Sequence, residues 1–175
     1  MFGIKAKVKE KYYRIRYKMD GSDITIMNLR KAGCKIGDNC RIFTSFFSKE
    51  PSLITVGNNT TISTNVKFCT HDNSVKKLDI QGTDVYGKIE IGNNCFIGMD
   101  ALLMYGIKIG DNSIISAGAV VTKNIPEGTV WGGNPAKYIC DVEDFKKRMS
   151  DKAVSIKTSE VKDYFDANPQ KLVSR

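Results

Sequence analysis

Residues 89–122 read IEIGNNCFIGMDALLMYGIKIGDNSIISAGAVVT. Aliphatic side chains recur at Ile91, Ile97, Leu103, Ile109, Ile115 and Val121, six residues apart each time. A helix repeats its apolar face every ~3.6 residues and a strand every ~2, so neither accounts for six. A coil with three short flat sides does, because the chain then turns about a third of a circle every six residues. One aliphatic side chain per side points inward and stacks on its counterpart in the next coil, about 4.8 Å along the axis, as neighbouring strands do.

The same period extends outward from this stretch. A signature of the form [CI]-x-[IV]-G-[DN]-N occurs as CKIGDN from Cys34, ITVGNN from Ile54, IEIGNN from Ile89 and IKIGDN from Ile107, with gaps of 20, 35 and 18 residues. Eighteen is one full coil of three sixes, 20 exceeds it by 2, and 35 is 18 plus 17. The signature fades but stays in phase at IPEGTV, where Gly128 falls 18 after Gly110. The GDN and GNN triplets supply the residue types that tolerate a corner and a left-handed backbone. A single coil buries too little to be stable, so the fold must come from stacking several.

Because the coils resume in phase at Ile89, the 17 extra residues must leave the prism after Phe68, as a loop over about residues 70–88. At its root stands His71, the only histidine in the chain. An interruption of a regular stack invites a functional reading. Imidazole, which ordinarily titrates near neutrality, is well suited to take a proton from an alcohol. Spacing alone leaves equally open a histidine that satisfies loop amides.

The chain has 175 residues, a net charge of +8 and five cysteines without C-x-x-C pairing. The odd number and the missing pairing suggest neither a disulfide framework nor a zinc knuckle and favour buried reduced thiols. The charged N-terminal stretch is unlike a signal peptide, and a cytoplasmic protein is expected. Lys5, Lys7, Lys9, Lys11, Arg14, Arg16 and Lys18 crowd the first twenty residues. No nucleic-acid-binding signature accompanies them, so no nucleic-acid partner is expected. Weak contact with an anionic membrane surface is the alternative to a solvated face. Ile4, Val8, Tyr12, Ile15 and Met19 form one helical stripe over residues 4–19. DVEDFKKRM (141–149) carries acids in its first turn and bases in its last, which predicts a helix. A second short helix is expected around 160–167, stopped by Asn168-Pro169. The resulting division is a helical or irregular N-terminal cap over 1–33, coils over 34–139, and a C-terminal helical segment and tail over 140–175.

These repeats, together with VVTKNIPEGTVWGGNPAKYI (120–139), resemble the hexapeptide-repeat acyltransferases, and within them the sugar O-acetyltransferases of the maltose, galactoside and surface-polysaccharide type. The resemblance implies an all-β fold, a left-handed parallel β-helix with short N-terminal and C-terminal helices. It also implies a homotrimer that uses acetyl-CoA as co-substrate, without a metal. The THD segment then makes His71 the general base in direct acetyl transfer to a sugar hydroxyl of capsule, lipopolysaccharide or a precursor. Asn65 is expected to bind the acceptor. The backbone amide of Met99, after Gly98, is the expected oxyanion donor. Phe96 should wall the pantetheine channel, Ala117 and Gly118 should line it, and Thr122, Lys123 and Lys137 should flank the nucleotide. Trp131 is expected either on the adenine or against a neighbouring subunit. Cys69, a formal alternative nucleophile, is disfavoured because the family transfers directly.

Several rivals separate on the sequence. A zinc site of three histidines is not available to a chain with one. The 33 residues before the coils cannot hold a nucleotide domain. An antibiotic or amino-sugar N-acetyltransferase would look alike, and a non-catalytic β-helix scaffold subunit would lack any reason for acetyl-CoA binding.

Overall fold

The computed structural model describes residue 11, residues 20–45 and residues 47–173. The stripe predicted over 4–19, and the basic residues within it other than Lys11, lie outside the described residues.

From Lys35 onward the chain winds through three parallel sheets in turn. The first sheet joins β1 (Lys35–Ile36), β3 (Ile54–Val56), β8 (Ile89–Ile91) and β11 (Ile107–Ile109). The second joins β2 (Arg41–Ile42), β4 (Thr61–Ile62), β9 (Phe96–Ile97), β12 (Ile114–Ile115) and β14 (Thr129–Gly132), with β15 (Lys137–Asp141) antiparallel at its edge. The third joins β5 (Lys67–Phe68), β10 (Leu102–Leu103) and β13 (Val120–Val121). The strand registers repeat the spacing arithmetic: Lys35 pairs with Thr55, Ile54 with Ile89, and Ile89 with Ile107.

Each side sends one column inward. Ile42, Ile62, Ile97, Ile115 and Trp131 form it on the second sheet, and Phe68, Leu103 and Val121 on the third; all are buried. Burying each such side chain is worth about 1.5–3 kcal/mol, so the stacked columns carry the fold. The residue after each corner triplet is small and buried, and its side chain donates to a carbonyl of the next coil. Cys40 reaches Gly57 at 2.9 Å, Thr60 reaches Gly92 at 2.9 Å, Cys95 reaches Gly110 at 3.1 Å and Ser113 reaches Pro126 at 2.8 Å. These cysteines are thus compact, weak donors in a packed column. Burial pushes the Cys34 thiol up to about 12.

The corners take the left-handed backbone that their composition predicts. Asn39, Asn59, Asn94 and Asn112 have φ between 54° and 57°. Side chains run up one corner as a ladder: the Asn58 amide bonds Asn93 Oδ1 at 2.9 Å, and the Asn93 amide bonds Asp111 Oδ1 at 2.8 Å.

Both ends of the stack are closed. Helix α1 (Gly21–Lys31) lies over the first coil, started by reciprocal bonds of 2.9 Å between Asp20 and Asp23. Its Ser22 hydroxyl accepts from the Ile42 amide at 2.7 Å, and Arg30 donates to the Ile36 and Gly37 carbonyls. Three backbone groups at the open end of β1 and β2 are thereby satisfied. At the far end Trp131 is the last rung of its column, within the β14–β15 hairpin. Helices α2 (Val142–Ser150) and α3 (Val161–Ala167) follow, matching the two tail helices expected from charge placement and Asn168-Pro169. Among the described residues no helix is long and apolar enough to cross a membrane.

Candidate active site

The loop leaves the stack where the phase count places it. Cys69 makes the last ladder bond of its coil, to the Leu103 carbonyl at 2.9 Å, and Thr70 is fully buried. The chain then forms an antiparallel ribbon of β6 (His71–Asp72) and β7 (Val85–Tyr86), which pairs His71 with Tyr86. The Gly87 amide returns to the Thr70 carbonyl at 3.0 Å, so the root of the arm is pinned by backbone bonds. An ion pair of 3.8 Å between Lys76 and Asp84 ties the arm together further out.

The first coil supplies the other half of this site. Its third side is longer by two residues, and there Phe47 stacks on Phe68 with ring centroids 4.4 Å apart. Three residues beyond each of these phenylalanines stand Glu50 and His71, at the same corner of successive coils. Glu50 Oε2 lies 3.0 Å from His71 Nδ1 and accepts from the Thr70 hydroxyl at 2.6 Å and the Ser48 hydroxyl at 2.8 Å. The Thr70 and Ser48 hydroxyls also touch one another. Hydrogen bonds from Thr70 and then Ser48, joined by His71, pull the Glu50 carboxyl down from its ordinary 4.5 to about 2. It is therefore a carboxylate at neutral pH.

The His71 side chain is 30% exposed, open enough to meet a solute while one edge is held. The Tyr86 ring lies 5.7 Å from it, centroid to centroid. Asp72 accepts the Ser74 amide at 2.8 Å, and that bond above all lowers its pKa. Cys69 donates its thiol to the His71 carbonyl at 3.1 Å, an arrangement that steadies the backbone of the histidine and directs the thiol toward the main chain.

The remaining predicted residues fall elsewhere on the prism. Asn65, Met99, Ala117 and Gly118 stack along the edge between the second and third sheets, where the Gly118 amide bonds the Met99 carbonyl at 2.7 Å. Asn65, Asp100 and Gly118 hold the equivalent left-handed corner, with φ of 59°, 58° and 71°. Met99 is 49% exposed, and its amide bonds no acceptor among the described residues. Gly98 is buried, and a β-carbon there would run into the Ala117 and Ser116 backbone, so only glycine lets the coils approach this closely. Thr122 and Lys123 stand on the His71 edge, above it in the stack, and both are exposed. Phe96 lies on the outer face of the second sheet between Thr61 and Ile114, and is 45% exposed. Lys137 is exposed on β15.

Trp131 sits differently from either expectation. It is 8% exposed, its Nε1 donates to Thr129 Oγ1 at 3.0 Å, and Lys123 Nζ lies 5.1 Å from the ring centroid. The cause is register: Trp131 continues the inward column of the second sheet and packs inside its own chain.

Within one chain, then, His71 and the Asn65–Met99–Gly118 edge stand on opposite sides of the third sheet. Six residues separate Asn65 from His71, a width of at most about 20 Å. Sequence spacing did not identify Glu50, Ser48 or Thr70. The signal that marked them was the two-residue excess between the first two signatures, which lengthens the side carrying Ser48 and Glu50.

Residues 88–123 match the family described as the hexapeptide repeat of succinyl-transferase. Protein CapG of Staphylococcus aureus is 40% identical over 130 residues, covering 71% of this chain and 76% of that protein. Galactoside O-acetyltransferase of Escherichia coli (strain K12) is 32% identical over 130 residues, covering 70% of this chain and 64% of that enzyme. A solved galactoside acetyltransferase in complex with coenzyme A superposes with a TM-score of 0.55 at 25% identity, covering 87% of this chain and 85% of that one. The fold and these likenesses define an acyltransferase. This chain belongs to the hexapeptide-repeat acetyltransferase family.

Proposed function

We propose that this protein transfers the acetyl group of acetyl-CoA to a sugar hydroxyl of a surface polysaccharide, such as capsule or lipopolysaccharide, or of its precursor. The observation that carries the reading is the setting of His71: the chain's one histidine, at the root of the arm that interrupts the coils, with Nδ1 engaged by a carboxylate. In the reaction His71 takes the acceptor's hydroxyl proton as that oxygen attacks the thioester carbonyl. The carbon–sulfur bond then breaks, and the imidazolium returns the proton to the departing sulfur. Atoms balance as an acetyl ester and free CoA thiol. Negative charge on the carbonyl oxygen during the attack needs a fixed donor, a role that suits the Met99 amide.

His71 and Met99 lie on opposite edges of one sheet, so the site is completed by a second copy whose Met99 edge faces the His71 edge of the first. A homotrimer with three such clefts closes this arrangement by symmetry. Asn65 then orients the acceptor. Ala117 and Gly118, which present little side-chain bulk, admit the pantetheine, and Thr122, Lys123 and Lys137 flank the nucleotide. The coils wind left-handed, as the family resemblance implies. The enzyme works in the cytoplasm, with its basic N-terminal stretch near the inner membrane face. A relative that acetylates galactosides at oxygen, and a related structure that holds coenzyme A, support the acceptor and donor classes.

The test is mass spectrometry of products after incubation with acetyl-CoA and a panel of surface-glycan precursors, amino sugars and chloramphenicol. A sugar O-acetyl ester is the expected product. An amide product, or acetylation of chloramphenicol alone, contradicts the proposal.

A further inference from the structure

We infer that Glu50 is a positioning residue that sets the tautomer of His71, and that Ser48 and Thr70 exist in this site to keep Glu50 ionised and aimed. The inference rests on the reading of His71 as the base.

A carboxylate held at about 2 carries no proton at neutral pH, so it only accepts. A hydrogen bond of 3.0 Å between its Oε2 and His71 Nδ1 therefore requires the hydrogen on Nδ1. In the neutral ring that leaves the lone pair on Nε2, the nitrogen turned away from Glu50. A general base needs this form, whereas free imidazole divides its proton between two nitrogens.

The carboxylate is itself over-determined. Thr70 is fully buried beside His71 and donates to Glu50 at 2.6 Å, while Ser48, two residues before Glu50, donates at 2.8 Å. The hydroxyls thus come from both coils that meet at this corner. Their bonds to the charged form are what lower its pKa, and they fix the carboxylate so that it points at Nδ1. Nothing in the stacking period requires a longer third side in the first coil. Its extra length delivers Ser48 and Glu50 to this corner.

The chain's single histidine makes the test unambiguous, because every imidazole nitrogen signal in the folded protein is His71. Nitrogen-15 NMR of the wild-type protein with the ring in its neutral form is expected to show a protonated Nδ1 and an unprotonated Nε2. Glu50→Gln keeps the shape but offers an amide in place of the acceptor-only carboxylate. It is expected to move the proton toward Nε2 and to lower kcat on the order of 10²-fold, with KM for acetyl-CoA unchanged. Glu50→Asp should restore part of both the tautomer and kcat. If the Gln variant does not fold, Thr70→Val reads the same axis, with a partial shift of the tautomer and a smaller fall in kcat. Wild-type tautomer and kcat in Glu50→Gln, alongside an inactive His71→Ala, overturn the role of Glu50 and leave the base assignment standing. An active His71→Ala overturns the base assignment instead.

Discussion

At the scale of single residues, the corner where Glu50 meets His71 ties stability to pH. The Glu50 carboxyl is lowered from 4.5 to about 2 on folding, so the folded state binds that proton less readily than the unfolded chain. Its contribution to stability is complete above pH 4.5 and is lost as pH falls toward 2. Asp72 and Asp111 are lowered as well, chiefly by hydrogen bonds from Ser74 and Asn93, and they act in the same direction. The contribution of Glu50 is isolated by comparing denaturant midpoints of the wild type and Glu50→Gln across that range. The wild-type advantage should shrink as the solution is acidified below 4.5, and an advantage that grows would contradict the assigned ionisation.

Among the elements, the coils were legible because each performs the same task. An inward aliphatic every six residues and a left-handed Asn, Asp or Gly at most corners are local requirements, and they recur along the stack. The gaps of 20, 35 and 18 reappear as the strand registers Lys35 with Thr55, Ile54 with Ile89 and Ile89 with Ile107. Helices α2 and α3 were legible from end charges and a stopping proline. Helix α1 was not, because Ile24, Ile26 and Leu29 make a weaker stripe than the residues upstream, and its start uses Asp23 where a capping box ordinarily has Glu or Gln. The Glu50–His71 contact was hidden for another reason: the two residues are 21 apart and meet only once the coils are stacked. α1 also acts beyond its own packing, since Ser22 satisfies the Ile42 amide at the open edge of the second sheet. Ser22→Ala leaves that buried donor unpaired and should cost about 1–3 kcal/mol in denaturant unfolding. An unchanged midpoint would show that the edge does not need the helix hydroxyl.

For the whole molecule, the consequence of a three-sided coil is that one chain spreads its candidate site residues over different edges. His71 and Glu50 share one edge of the third sheet, while Asn65, Met99 and Gly118 share the other. The proposed chemistry therefore needs two copies in contact, one giving the base and one giving the channel. Co-expressing a His71→Ala chain with an Ala117→Trp chain, each with its own affinity tag, and purifying mixed assemblies tests this directly. Each variant alone should lose roughly 10²- to 10⁴-fold in acetyl transfer. In the proposed homotrimer, mixed assemblies should recover about a third of the wild-type rate, one intact cleft in each ring of three. A His71→Ala protein that still transfers acetyl groups, or mixed assemblies as inactive as either parent, would contradict a base and a channel meeting across subunits.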